Sequence, residues 1–119
     1  MIVTDGLAEI AYELSQWKDI IQIECDHTAA VGLRKDGTLI STGGCFPEAT
    51  DWNFIKEFEY YGSALFAVDA EGSILEIGSD ISHSEWKNVE KIYFFDFGGL
   101  VAITTDGHLI SDFELYFFS

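Results

Sequence analysis

Hydrophobic and polar positions along this chain form short runs that are separated by turn residues. Most of the runs are rich in β-branched and aromatic residues, a composition that is typical of β-strands. The predicted strands are DIIQIE, TAAVGLRK, TLIST, FIKEFEYY, SALFAVDA, SILEIG, NVEKIYFF, GLVAITT and HLISDF, in chain order. This pattern predicts an all-β fold.

Three turn dipeptides recur at a constant interval of 35 residues. They are Asp36-Gly37, Glu71-Gly72 and Asp106-Gly107, and a fourth, Asp5-Gly6, lies 31 residues before the first of them. Asp-Gly is the strongest short-range signal for a β-hairpin, because Gly accepts positive φ and Asp can hydrogen-bond to its own backbone. Each dipeptide therefore joins the second and third strands of a group of three, and Glu71-Gly72 is the weaker version.

The tryptophans repeat in step with these turns. They are Trp17, Trp52 and Trp86, at intervals of 35 and 34 residues. An aliphatic residue follows each one after three positions, and a further apolar residue follows after six. Two markers with one period indicate three propeller-blade-like repeats at 17–51, 52–85 and 86–119 in a single domain, 1–119. We expect the indoles to pack between adjacent repeats, a structural role.

Residues 1–16 do not match a whole repeat and are interpreted as an N-terminal cap or partial repeat. The dipeptide at Asp5 would begin a third strand. Five apolar residues also fit one face of a short helix. They are Leu7, Ile10, Ala11, Leu14 and Trp17. We favour the short helix.

Net charge is the most prominent feature of the composition. The 119 residues include 21 Asp and Glu but six Lys and Arg, which gives a net charge of −15. Such a chain repels nucleic acid phosphates and anionic membranes, so we predict neither direct nucleic acid binding nor membrane binding. It attracts basic proteins. The alternative is that the charge only keeps an aromatic-rich surface soluble.

The sequence shows no recognisable signal peptide or membrane-spanning segment. "MIVTDGLAEI" lacks a basic start and a long apolar core, and no apolar run approaches the ~20 residues that span a bilayer. The two cysteines, Cys25 and Cys45, do not have CxxC spacing. A cytoplasmic protein with free thiols is expected.

The candidate chemical motifs do not assemble into a catalytic or metal site. Cys25, Asp26 and His27 are adjacent along a strand and therefore point to opposite faces. A nucleophilic pair of either cysteine with His83 or His108 has no support from spacing. No Gly-rich loop has the helix and Lys context of a phosphate site. We expect no enzyme activity, no metal and no cofactor.

The end of the chain combines carboxylates with aromatic residues. No Lys or Arg follows Lys91. Carboxylates can steer the encounter with a basic partner while aromatic side chains provide anchoring area. The predicted partner-binding residues are Asp96, Asp112, Glu114, Tyr116, Phe117 and Phe118. The alternative, that the aromatic residues belong to the core, is favoured for Phe94 and Phe113.

The stretch WKDIIQIECDHTAAVGLRKDGTLISTGG resembles repeats of the regulator of chromosome condensation family, especially its short bacterial versions. The first repeat matches best, at His27-Thr28 and at residues 35–38; the resemblance extends more loosely to Phe113. It implies a β-propeller of four-stranded blades. The family's Gly-Gln-Leu-Gly loop is replaced by residues 43–47.

Three repeats are fewer than the about four to eight blades of a closed propeller. The repeats therefore form an open arc capped by the chain ends, a three-sided prism, or part of an oligomeric propeller. An uncapped repeat array would leave a costly open edge.

The leading hypothesis for function is a non-catalytic inhibitor or immunity-type protein. It would bind a basic, nucleic-acid-binding partner through an acidic face, with imitation of phosphate charge as a special case. A second hypothesis is a structural propeller-fragment subunit that forms a homo-oligomer. A third is a lectin-like ligand binder in which the three tryptophans are stacking platforms.

Overall fold

Two compact units make up the chain in this computed structural model, Met1–Asn53 and Phe54–Ser119. The residues that the structure describes are 11–26, 29–61, 64–79, 82–94 and 99–112. In these ranges, the first unit contains one β-sheet and the second unit contains two. The boundary between the units falls at the start of the second predicted repeat.

Within the described ranges, nine strands form three antiparallel sheets of three strands each, in consecutive order. The first sheet comprises β1 (Ile20–Cys25), β2 (Ala30–Arg34) and β3 (Leu39–Ser41). The second comprises β4 (Ile55–Tyr61), β5 (Ala64–Asp69) and β6 (Ile74–Ile77). The third comprises β7 (Val89–Phe94), β8 (Leu100–Thr104) and β9 (Leu109–Ser111). The predicted all-β fold of three blade-like repeats is confirmed.

The helical segments are short. Residues 11–15 are α-helical, which confirms the predicted N-terminal helix over the part of it that is described. Two 3-10 helices, Thr42–Gly44 and Pro47–Asp51, occupy a linker for which the sequence predicted polar turns alone. Pro47 suits a first helical position because its φ is fixed and it has no N–H group to leave unpaired. No helix in the described ranges has the length and apolar character needed to cross a bilayer.

The repeats share an irregularity at the start of each first strand. The residue two positions after each tryptophan has a left-handed backbone: φ is 63° at Asp19, 61° at Phe54 and 58° at Asn88. A register shift follows in each first strand. The Asp19 carbonyl accepts a hydrogen bond from Lys35 N (2.8 Å), and the Asn88 carbonyl accepts one from Thr105 N (2.8 Å). Each of these bonds ties the hairpin turn of a repeat to the entry of its first strand.

One hydrophobic core spans the second and third sheets. Its buried residues are Phe66, Val68, Ile74, Val89, Ile92, Leu100 and Ala102. Trp86, which opens the third repeat, packs against this cluster. In repeat proteins, neighbouring repeats bury apolar surface against each other. The second and third sheets do the same through this shared core.

Carboxylates of the second sheet also hold the edge of the third. A Glu57 oxygen accepts a hydrogen bond from Ile92 N (2.6 Å), and a Glu59 oxygen accepts one from Phe94 N (3.2 Å). Both N–H groups belong to β7, which lies at the edge of its sheet. A backbone N–H group that is removed from water without an acceptor lowers the stability of the fold by about 1–3 kcal/mol.

The contact between these sheets predicts different effects for one substitution at two equivalent glycines. Gly72 (φ 85°) and Gly107 (φ 89°) both have left-handed backbones that Ala adopts at a cost of about 1–2 kcal/mol. A Cβ at Gly72 would lie 2.8 Å from Val89 N, whereas a Cβ at Gly107 would meet nothing within 4 Å among the described residues. We expect Gly72→Ala to lower the free energy of unfolding by about 1–3 kcal/mol more than Gly107→Ala does.

Urea unfolding of the two variants measures this difference. Equal losses would show that the second and third repeats are not seated against each other at Gly72.

Candidate functional site

Exposed carboxylates occupy the hairpin turns of all three repeats, at Asp36, Glu71 and Asp106. In the second repeat, Asp69 holds the turn, because one of its oxygens accepts hydrogen bonds from Glu71 N (3.0 Å) and Ser73 N (2.9 Å). The Glu71 carboxylate has no such role. Among the described residues, it has no recorded hydrogen bond or ion pair, so it faces solvent as an uncompensated charge.

The turn aspartates of the other two repeats are held in the ionised form. The Thr38 hydroxyl donates to Asp36 (2.6 Å), and together with Thr38 N (3.0 Å) it lowers the pKa of the Asp36 carboxyl. The Thr104 hydroxyl donates to Asp106, and this bond, followed by the contact with His108, lowers the pKa of Asp106. Hydrogen bonds to a carboxylate favour its charged form. Both turns therefore stay negative in mildly acidic solution.

The turns of the second unit lie along one edge. The Gly72 carbonyl accepts a hydrogen bond from Val89 N (3.0 Å), and the adjacent Asn88 carbonyl accepts one from Thr105 N (2.8 Å). Residues 88–89 therefore connect the turn of the second repeat to that of the third. We call Glu71 and Asp106, with these two turns, the acidic turn edge.

Basic side chains do little to neutralise this edge. All six Lys and Arg residues fall within the described ranges. Lys56 pairs with Glu90 (3.5 Å), and Lys87 donates to the Ser84 carbonyl (3.2 Å). In the described part of the second unit, neither Glu71 nor Asp106 pairs with a Lys or Arg side chain, and His108 contacts Asp106 (3.0 Å).

A buried histidine lies between two carboxylates in the same unit. His83 is 1% exposed, with Nδ1 2.7 Å from a Glu76 oxygen and Nε2 2.7 Å from an Asp112 oxygen. The two hydrogen bonds require two protons. An imidazolium supplies both, or a neutral ring supplies one and a carboxylic acid the other. Phe66 and Trp86 pack against the ring in edge-on geometry, with centroids at 5.7 Å and 4.7 Å.

Backbone hydrogen bonds position the two carboxylates. The second Glu76 oxygen accepts from His83 N (2.7 Å), and the second Asp112 oxygen accepts from Leu100 N (2.9 Å). Glu76 belongs to β6, and Asp112 follows β9 directly. The histidine thus joins the second sheet to the third. Because its ring is almost fully buried, we interpret this group, the Glu76–His83–Asp112 contact, as a structural tie.

Sequence reasoning missed this contact, although a comparison of the repeats contains a signal for it. The residues three positions before each tryptophan are Leu14, Ala49 and His83, and the carbonyl of each accepts a hydrogen bond from that tryptophan's N–H. The residues that follow the core of each third strand are Thr42, Ile77 and Asp112. In both sets, only the member nearest the third repeat, His83 or Asp112, carries or can carry charge.

The predicted partner-binding residues fall mostly outside the described ranges. This applies to Asp96, Glu114, Tyr116, Phe117 and Phe118, so their role stays a prediction. Asp112 is described, and its carboxylate is engaged by His83 and Leu100 N.

The other chemical candidates from the sequence include the two cysteines and His27. Cys25 and Cys45 are free and exposed, and His27 lies outside the described residues. Within the described ranges, no group of three or more His, Cys, Asp and Glu side chains could hold a metal ion. Two of the tryptophan repeat markers have described packing contacts: Trp86 packs on the shared core, and Trp17 ring atoms lie 3.0 Å from where a Cβ on Gly32 would be.

Comparison with known proteins gives no relative. No model of a protein family, no curated protein and no solved structure matches the chain. The resemblance to the regulator of chromosome condensation family therefore stays a prediction.

The buried contact predicts unequal effects of one substitution at two histidines. His83→Leu leaves Glu76 and Asp112 facing an apolar side chain, and we expect the free energy of unfolding to fall by about 2–4 kcal/mol. His108→Leu is the matched control, because His108 is exposed and pairs with Asp106 at the surface. We expect it to change stability by less than about 0.5 kcal/mol. Chemical denaturation measures both, and similar values for the two would refute the structural tie.

The turn hydrogen bonds predict a specific titration. Since Thr38 lowers the pKa of Asp36 below its ordinary value of 3.8, Thr38→Val should raise that pKa while Asp106 titrates as before. Carbon-13 NMR of the carboxyl groups measures both. The lowered pKa contributes stability that is complete above the unfolded value and disappears as the pH falls through the native pKa. An unchanged Asp36 titration would contradict the assigned cause.

Proposed function

We propose that this protein is a non-catalytic, acidic binding module that acts as an inhibitor or immunity-type protein on a basic partner. The supporting observation is the acidic turn edge of the second unit. Glu71 there is exposed and uncompensated among the described residues, and hydrogen bonds hold Asp106 in its ionised form. A surface of this kind offers a fixed negative charge to a complementary cationic surface.

The long-range field of the chain favours the same class of partner. A net charge of −15 steers a cationic protein toward the surface and repels nucleic acid. Proteins that bind nucleic acid carry clustered Lys and Arg side chains, which contact phosphates. Carboxylates can form ion pairs with the same Lys and Arg side chains. We therefore propose a nucleic-acid-binding enzyme as the class of basic partner.

The acidic turns also distinguish this proposal from a purely solubilising role. A solubilising charge acts through its total, so its position on the surface does not matter. A binding surface depends on where its carboxylates lie. Glu48 and Asp51 are exposed carboxylates of the 3-10 helix Pro47–Asp51 in the first unit, and they provide a comparison at equal charge.

Binding of the full chain to an immobilised basic ribonuclease tests the proposal. We expect affinity to fall at least about tenfold when the salt concentration rises from 50 to 500 mM, because salt screens exposed charges. Glu71→Gln combined with Asp106→Asn should weaken binding about five- to tenfold at low salt, since a rim charge mainly affects the rate of association.

The double variant Glu48→Gln with Asp51→Asn is the matched control. It removes the same two negative charges and should weaken binding by no more than about twofold. Equal losses in the two double variants would show that only total charge matters. Binding that does not respond to salt would exclude a charge-based interaction altogether.

A further inference from the structure

The outer face of the third sheet is exposed where the same face of the second sheet is buried. In the second sheet, Phe66, Val68 and Ile74 pack into the core shared with the third sheet, and Ile74 is 9% exposed. One repeat later the corresponding residues are Val101, Ile103 and Leu109. The first two are partly exposed, and Leu109 is 67% exposed. The third sheet thus has an apolar outer face like that of the second sheet, but this face is partly exposed to solvent.

The hairpin turns show the same difference. In the second repeat, the turn at Gly72 is seated against Val89, the first residue of the next sheet, with a hydrogen bond from Val89 N to the Gly72 carbonyl (3.0 Å). The turn at Gly107 has the same left-handed backbone and meets open space among the described residues. The space beside Gly107 could therefore hold the beginning of another first strand, as the space beside Gly72 holds Val89.

The first strand of the chain is exposed on the complementary side. Phe58 in β4 and Ile92 in β7 are fully buried, whereas Ile23, at the corresponding position of β1, is 51% exposed. Ile20 is partly exposed, while Val89, which corresponds to it, is buried. The chain therefore presents an uncovered first strand as well as an uncovered outer face.

We propose that the outer face of the third sheet binds β1 of a second copy of this chain. The apolar packing and the turn hydrogen bond would repeat those that the second and third sheets already make. Leu109 would take the place of Ile74, and the second copy's Ile23 would take that of Ile92. The Gly107 carbonyl would accept the N–H of Ile20 as the Gly72 carbonyl accepts that of Val89.

A second copy suits this face better than an unrelated partner because the two surfaces are the two sides of an interface that the chain itself forms. Repeats in arrays stack through such complementary faces. A head-to-tail contact of this kind closes into a ring or extends as a filament. Two copies joined twice would unite six sheets, within the about four to eight blades of closed propellers. The expected product is a dimer.

The charges of the third sheet also favour a chain as acidic as this one. Where β4 has Glu57 and Glu59, β7 has Lys91 and Tyr93. The carboxylate contacts to a following strand are therefore not repeated. A positive charge and the exposed ring of Tyr93 take their place. The net charge of −15 on each copy still opposes association, so salt should strengthen it. This response is opposite to that expected for a basic partner.

Sedimentation equilibrium of the full chain at 50 and 500 mM salt tests the proposal. We expect a dimer whose dissociation constant falls at high salt. Leu109→Glu or Ile23→Glu should each raise that constant at least about a hundredfold, because a charge would be buried in an apolar contact. Tyr12→Glu, which adds a charge at an exposed aromatic residue outside both faces, should not. Circular dichroism should show that all three variants are folded.

Mixing the two disrupted variants gives the decisive measurement. The Leu109→Glu chain retains an intact β1 face, and the Ile23→Glu chain retains an intact outer face. An equimolar mixture should therefore form a heterodimer through one native contact, although neither variant associates alone. Failure of the mixture to associate would overturn the head-to-tail arrangement.

Two other results would also overturn the proposal. One is a wild-type chain that stays monomeric at millimolar concentration and high salt. The other is a monomer that dimerises only after residues 113–119 are removed, which would assign the outer face to that segment. The two proposals share the Gly107 turn, but their tests are separate. Binding to a basic protein is tested at the Glu71 and Asp106 carboxylates and should weaken with salt, whereas the dimer is tested at Ile23 and Leu109 and should strengthen with salt.

Discussion

Burial of one repeat against the next is the constraint on which the second unit depends. A three-stranded sheet must cover its apolar surface to be stable, and the middle strand of the second sheet is apolar on both faces. Residues Leu65–Val68 of β5 are fully buried. The side chains Phe66 and Val68 point toward the third sheet and share a core with it. The second sheet therefore obtains much of its stability from its neighbour.

The Glu76–His83–Asp112 contact adds a polar element to this apolar interface. Apolar residues occupy the histidine's position before the other two tryptophans, at Leu14 and Ala49. A buried group of this kind is a weak source of net stability, but it is costly to break. Its hydrogen bonds are directional, whereas apolar contacts are not. The contact therefore fixes how the third repeat is seated on the second.

The acidity of the chain has more than one physical role. Glu57 and Glu59 accept backbone hydrogen bonds from β7, and Asp36, Asp69 and Asp106 shape the hairpin turns. These carboxylates contribute to the fold, and among them the exposed Asp106 is also accessible for recognition. Glu71 stands apart because Asp69 already holds its turn. Because the Glu71 carboxylate is not needed to form its turn, it is available to a partner. The proposed function therefore rests on the acidic turn edge and not on the total charge.

The sequence by itself determined the three repeats, their nine strands and the hairpin turns. These features follow from local rules: alternation of side chains along a strand, and the positive φ that Gly accepts in a tight turn. The short N-terminal helix followed from its apolar spacing over the described residues 11–15. Only the tertiary structure decided that His83 lies between two carboxylates, and that Leu109 is exposed although Ile74 is buried. The reason is that each of these depends on what lies across an interface, and a local pattern carries no information about the opposite side.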